Sequence, residues 1–125
     1  MTLICGLPNA GKTTYSKQFP NVVHFDDIQH RTSEDIFRNC AEIVRNAPDD
    51  IIVEGVYGTR KRRAELLRAS HGKKVCIWLD TPVDVCIARE NRNRPTAIIT
   101  IHAHRFEPPT LDEGWDEIRI VRYTE

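Results

Sequence analysis

The sequence predicts an α/β protein built as a three-layer sandwich, in which helices cover both faces of a parallel five-stranded sheet. Short apolar runs alternate along the chain with segments of helical periodicity, a pattern typical of parallel sheets covered by helices. Right-handed crossovers place those helices on both faces. The 125 residues show no internal repeat or linker, and one core typically serves about 100–200 residues. We therefore expect a single domain spanning 1–125.

Five apolar runs predict the strands. The first run stops at Gly6 and the second at Asp26, as short buried strands do when a turn or a polar loop follows. The predicted strands are residues 2–5, 22–25, 51–53, 75–79 and 118–123.

Five segments between these runs predict the helices. In residues 33–46 the apolar positions Ile36, Cys40 and Ile43 recur at spacings of three and four, and Ser33 is the expected N-cap. The predicted helices are residues 12–18, 33–46, 59–70, 82–92 and 95–105.

Composition limits the classes of function. Eighteen basic and eighteen acidic residues give a net charge of zero, which excludes bulk attraction to nucleic acid but not local attraction. No apolar run approaches the roughly 18 residues of a membrane span, so we expect no membrane partner. The N-terminal residues lack the pattern of a signal peptide, and the four cysteines form no CxxC pair. We expect an intracellular, cytoplasmic protein with reduced, mostly buried thiols.

A phosphate-binding loop is the strongest motif. Residues 6–13, GLPNAGKT, match G-x-x-x-x-G-K-[ST] between a predicted strand and a predicted helix. In such a loop the backbone N–H groups surround phosphate oxygens, the lysine neutralises the β- and γ-phosphates, and the hydroxyl can bind Mg²⁺. We expect ATP and Mg²⁺ as cofactors, with Thr13 as a metal ligand. The expected nucleotide-binding residues are Gly6, Pro8, Asn9, Ala10, Gly11, Lys12, Thr13 and Thr14.

Acidic residues at strand ends are candidates for the reaction itself. The DxxG and NKxD elements of a GTPase do not occur in the sequence, which favours phosphoryl transfer, a reaction in which an acid must take the acceptor's proton. Asp26 is the expected base, because chemistry gathers beyond the carboxyl ends of parallel strands, and Asp27 is expected to cap or support it. Glu54 ends the third strand at the same edge. It either helps to hold Mg²⁺ or faces solvent.

Three arginines, Arg89, Arg92 and Arg94, mark a predicted short lid at about residues 89–95. Guanidinium groups suit the charge that spreads over a transferring phosphoryl group. The alternative is that they only favour the end of a helix. Three arginines in six residues exceed that requirement, so we expect at least one to contact ATP phosphates in catalysis, together with Lys12.

Two segments of the chain carry strong charges of opposite sign. Residues 59–74 hold seven basic residues and one acid, whereas residues 107–117 hold five acids and no base. The basic segment either receives an acceptor phosphate or a nucleic-acid backbone, or it is a solvated helix face. The acidic segment is expected to avoid phosphate.

Several strings resemble the kinase domain of polynucleotide 5′-hydroxyl kinases: GLPNAGKTT, VVHFDD, IIVEGVYGTRKRR and, most specifically, FEPPTLDEGW at residues 106–115. The resemblance implies an adenylate-kinase-like P-loop NTPase fold and transfer of the ATP γ-phosphate to a 5′-hydroxyl end of DNA or RNA. It implies catalytic roles for Asp26, Lys12 and one lid arginine. Gln29 stands where the family often has an acceptor-binding arginine.

The acceptor is the open part of this interpretation. Arg31 can substitute for the family's arginine at 29, and the expected acceptor-binding residues are Asp27, Arg31, Arg62 and Arg63. One alternative is a P-loop kinase that acts on a small-molecule or nucleoside hydroxyl, which the zero net charge and Gln29 favour. A second is a nucleotide-binding switch or toxin-like module. A homo-oligomer is compatible with the sequence.

Overall fold

The computed structural model describes residues 1–124 and contains five strands, all parallel. They are β1 (Thr2–Cys5), β2 (Val23–His24), β3 (Ile52–Glu54), β4 (Val75–Asp80) and β5 (Glu117–Arg122). Their order in the sheet is β2-β3-β1-β4-β5. In the register, Leu3 of β1 lies between Val53 of β3 and Cys76 of β4. The predicted parallel five-stranded sheet is confirmed.

The helices are α1 (Lys12–Ser16), α2 (Ser33–Arg45), α3 (Arg60–Ala69), α4 (Val83–Ala88) and α5 (Thr96–Arg105). Two 3-10 turns, Phe25–Asp27 and Leu111–Glu113, follow β2 and precede β5. The N-cap of α2 is Thr32, whose hydroxyl accepts a hydrogen bond from the N–H of Asp35, so the assignment to Ser33 was wrong by one residue. Within residues 1–124, no helix has the length and apolarity that crossing a membrane requires.

Helix α4 ends four residues before the predicted end at Arg92. The carboxylate of Glu90 accepts hydrogen bonds from the N–H groups of Arg92 and Arg94, and Asn93 has a left-handed φ of 58°. Side-chain bonds of this kind compete with the helical ladder. The lid arginines therefore lie on an irregular segment after α4.

Alternation along β1 divides the core between the two faces of the sheet, because successive strand side chains point to opposite sides. Leu3 and Cys5 pack on the face covered by α2 and α3, with Cys40 and Leu66. Ile4 packs on the other face, in the cluster that α4 and α5 complete with Cys86 and Ile99. This arrangement confirms the three layers.

All four cysteines are free and buried, as expected. Two of them are neighbours on adjacent strands, with 3.7 Å between the Sγ atoms of Cys5 and Cys76. Their role in the fold is that of small apolar side chains.

The basic and acidic segments face each other. Arg60 pairs with Asp112 at 3.1 Å, and Lys73 pairs with Glu117 at 3.4 Å. The third pair is bidentate: Nε and Nη2 of Arg63 donate to the two carboxylate oxygens of Glu113 at 2.8 and 2.9 Å. Opposite charges far apart in the sequence thus join α3 to the segment before β5.

Arg63 is a structural residue, and its predicted acceptor-binding role is wrong. Its side chain is 0% exposed, and its Nη1 donates to the carbonyl of Tyr57 at 3.0 Å. Glu113 is 4% exposed. Burial disfavours the charge of Glu113, but the hydrogen bonds from Arg63 and Thr110 hold its pKa below the usual value.

Replacing Arg63 by methionine should strongly destabilise the fold, because it leaves the Glu113 carboxylate buried without its partner. Removing one member of a buried ion pair costs about 3–5 kcal/mol. Urea unfolding measures the difference. Arg68→Met, at an exposed position of the same helix, is the control and should change stability by no more than about 0.5 kcal/mol. Equal stability of the two variants would contradict the role of the pair.

Candidate functional site

A cleft of about 1060 Å³ lies at the carboxyl edge of the sheet. The segments after β1, β2 and β3, the lid segment, α5 and the end of β5 all line it. This is the edge at which open parallel sheets bind their ligands. Its volume suits a nucleotide, since ligand clefts typically measure about 300–1000 Å³.

The phosphate-binding loop forms the floor of the cleft, which residues 8–14 line directly. Gly6 lies beneath the loop, where a Cβ would stand 2.9 Å from the carbonyl oxygen of Leu79. Gly11, at the start of α1, has a left-handed φ of 102°, which favours glycine. Backbone geometry therefore explains why both positions of the motif are glycine.

Lys12 is buried in this loop. Its Nζ donates to the carbonyl oxygens of Gly6 and Leu7 at 3.0 and 2.7 Å. Burial lowers the pKa of Lys12, and the nearby carboxylates of Glu54 and Asp26 oppose that shift. A cation held in a poorly hydrated loop attracts a phosphate group more strongly than one in water.

The structure separates the two neighbouring aspartates. Asp26 lies in the 3-10 turn after β2 and lines the cleft. Asp27 is exposed and does not line it. The predicted acceptor-binding role of Asp27 therefore has no geometric basis, whereas the predicted role of Asp26 as a base is compatible with its place in the cleft.

Glu54 lies between Asp26 and the loop, because β3 lies between β2 and β1. Glu54 is 7% exposed, and its Oε2 lies 2.8 Å from Nδ1 of His24. Glu54 also lines the cleft.

Thr13 and Glu54 are the residues that fit Mg²⁺ in this cleft. The Thr13 hydroxyl is exposed at the start of α1, and Glu54 offers a carboxylate oxygen. In residues 1–124 no three His, Cys, Asp or Glu side chains group as a metal site. Mg²⁺ in nucleotide enzymes needs only one or two protein ligands besides phosphate and water, so the donor set is adequate.

All three lid arginines line the cleft. Arg89 donates to the carbonyl oxygen of Asn9 at 3.2 Å, and Arg94 donates to the Asn9 side-chain oxygen at 3.0 Å. Glu90 accepts bonds from Asn9 and from Arg94, both at 2.9 Å. The hydrogen bonds from Asn9 and from the Arg92 backbone lower the pKa of Glu90 to about 2. The lid is thereby fastened to the phosphate-binding loop.

Several residues that line the cleft were not predicted from the sequence. His102 and Arg105 line it from α5, one helical turn apart, and Tyr123 lines it after β5, with the Arg89 guanidinium 5.6 Å from its ring centre. The rule that sites gather after strand ends could have indicated Tyr123. Nothing in the sequence marks the face of α5 that turns to the cleft.

The side opposite the lid carries an aromatic wall that the sequence analysis also missed. The ring centre of Phe37 lies 4.9 Å from that of Phe25 and 5.8 Å from that of Tyr57. Arg62 lines the cleft beside this wall, and its predicted acceptor-binding role stays a prediction. Arg31 is exposed and does not line the cleft, so its predicted substitution for the family's arginine is not supported.

Comparison with solved structures identifies the class of fold. A gluconokinase from Sinorhizobium meliloti 1021 superimposes with a TM-score of 0.72 at 12% identity, covering 99% of this chain and 82% of that chain. A sugar kinase from Janibacter sp. HTCC2649 gives a TM-score of 0.74 at 19% identity, covering 97% and 83%. No protein-family model and no curated protein matches the chain.

These likenesses show that the chain has the P-loop NTPase fold of small kinases. At such identities they establish the fold alone. The predicted fold class is confirmed.

The pKa of His102 gives a pH-dependent prediction. Partial burial at the cleft wall, and then the charges of Lys12, Arg105 and Arg94, lower this pKa. The folded state thus binds fewer protons than the unfolded state, so stability falls as pH drops below the unfolded value of about 6.5. When the pH is lowered from about 7.5 to 5.5, we expect the melting temperature of His102→Gln to fall less than that of the wild type.

The control is His104→Gln, two residues along the same helix, which should keep the wild-type pH dependence. Thermal unfolding at the two pH values measures both variants. Identical pH profiles for His102→Gln and the wild type would contradict a neutral His102 among the cleft cations.

Proposed function

We propose that the chain is an ATP-dependent phosphotransferase that moves the γ-phosphoryl group to a hydroxyl of a small molecule. One observation carries the proposal: Asp26, the phosphate-binding loop and the lid arginines line the same cleft. A base, a phosphate site and cations for the transferring group are the parts that phosphoryl transfer requires.

In the proposed reaction the Asp26 carboxylate takes the proton of the acceptor hydroxyl. The hydroxyl oxygen forms a bond to the γ-phosphorus as the bond from that phosphorus to the β–γ bridging oxygen breaks, giving a phosphate ester and ADP. Lys12 and the lid arginines offset the charge on the phosphoryl oxygens. Bound Mg²⁺, held by Thr13 and Glu54, would supply further neutralisation of the phosphates.

A small acceptor has better support than a polynucleotide end. The basic segment that was expected to contact a nucleic-acid backbone is paired with carboxylates, as Arg60 is with Asp112 and Arg63 with Glu113. The two solved structures described above are a gluconokinase and a sugar kinase by name. A nucleotide-dependent binding module does not explain why an aspartate lines the same cleft as the loop.

Asp26→Asn tests the proposed base. The variant should bind ATP as the wild type does and lose roughly 100- to 10,000-fold in turnover, the usual contribution of a positioned general base. ADP release from ATP, measured with sugars, sugar acids, nucleosides and a 5′-hydroxyl oligonucleotide as acceptors, gives the rates. Fluorescent-nucleotide binding gives the affinity.

The matched control is Asp27→Asn, which makes the same chemical change one residue outside the cleft and should keep the wild-type rate. Equal turnover of the two variants would eliminate Asp26 as the base. Transfer to the oligonucleotide alone would reinstate the polynucleotide kinase interpretation.

A further inference from the structure

The cleft divides its charges between two ends. Six cations line the part formed by the loop after β1, the lid, α5 and β5: Lys12, Arg89, Arg92, Arg94, Arg105 and Arg122. The part formed after β2 and β3 contains Asp26 and Glu54, which are the two acidic lining residues among those described, and a single cation, Arg62. A polyphosphate suits the first end. The second end, where the acceptor must lie beside Asp26, has an excess of negative charge.

The charge of Arg62 is already matched. Its Nη2 donates to Oε1 of Glu34 at 2.6 Å, and its Nη1 donates to Oε1 of Glu65 at 3.1 Å. Its guanidinium carbon lies 3.8 Å from the ring centre of Phe37, a cation–π contact. An anion entering this end would have to displace Glu34 before it could pair with Arg62.

The other cations of α3 do not supply an unpaired charge in its place, and the exposed Lys61 and Arg68 do not line the cleft. Arg60 is bound to Asp112, and Arg63 is buried against Glu113. Neither side chain lines the cleft. The acceptor end therefore offers no unpaired cation among the described residues that line it.

The surface that remains is apolar with polar edges. Phe25 and Phe37 line the cleft half-buried, with Tyr57 buried behind them, and Thr59, the N-cap of α3, also lines it. Ring faces pack against the C–H faces of a sugar or against a base, and a few polar groups orient the hydroxyls.

From this division of charge we infer that the acceptor is an uncharged polyhydroxylated molecule, a free sugar or a nucleoside, and not a sugar acid, a sugar phosphate or a nucleic-acid end. The inference rests on the proposed function and specifies its substrate class. Glu34 acts as a specificity residue that occupies the one cation an acidic acceptor could use.

Steady-state rates with matched acceptor pairs test the inference. Each neutral sugar is compared with its aldonic acid and its phosphate ester, and each nucleoside with its 3′-phosphate. We expect kcat/KM to favour the neutral member by roughly tenfold or more. Preference for the acids or phosphates would overturn the inference while leaving the proposed function intact. No transfer to any small acceptor, with ATP binding retained, would overturn the proposed function itself.

Glu34→Gln isolates the determinant. The variant leaves Arg62 paired with Glu65 alone. It should raise the kcat/KM ratio of acidic to neutral acceptor by about tenfold, because the Nη2 donors that Glu34 occupied become available to a substrate carboxylate. The matched control is Glu42→Gln, in the same helix and paired with Arg45, which should keep the wild-type ratio. A ratio unchanged by Glu34→Gln would overturn the assignment of Glu34 and Arg62.

Discussion

The order of the parallel strands is the constraint from which the site follows. With β1 between β3 and β4, the phosphate-binding loop, Glu54 and the segment leading to the lid all leave the same edge of the sheet. Asp26 follows β2, two strands away, or about 10 Å at roughly 4.8 Å per strand. That interval accommodates a phosphoryl group and an acceptor hydroxyl between the loop and the carboxylate.

Pairing of distant charges determines which cations reach the cleft. Segments 59–74 and 107–117 neutralise each other through Arg60 with Asp112 and Arg63 with Glu113. Arg62, between them in sequence, turns to the cleft and is held by Glu34. The positive field of the cleft therefore comes mainly from the lid and α5. Because exposed pairs contribute little stability, the buried Arg63 pair is the one that fixes α3.

Sequence reasoning was strongest where the signal is local. The motif at residues 6–13 and the short apolar runs depend on backbone chemistry and strand periodicity, and the structure places them as expected. It was weaker where partners are distant in sequence. No residue near Arg63 in the sequence indicates that its side chain pairs with Glu113 in the interior. The aromatic wall likewise joins Phe25, Phe37 and Tyr57 from three separate segments. The early end of α4 depends on the Glu90 side chain, which periodicity ignores.

The central claim is that the loop holds a triphosphate whose outermost phosphorus faces Asp26. A crystal structure with Mg²⁺ and a non-hydrolysable ATP analogue tests it most directly. The account predicts the γ-phosphate between Lys12 and the Asp26 carboxylate, with at least one lid arginine on its oxygens. A triphosphate bound elsewhere, or an Asp26 side chain turned out of the cleft, would contradict it.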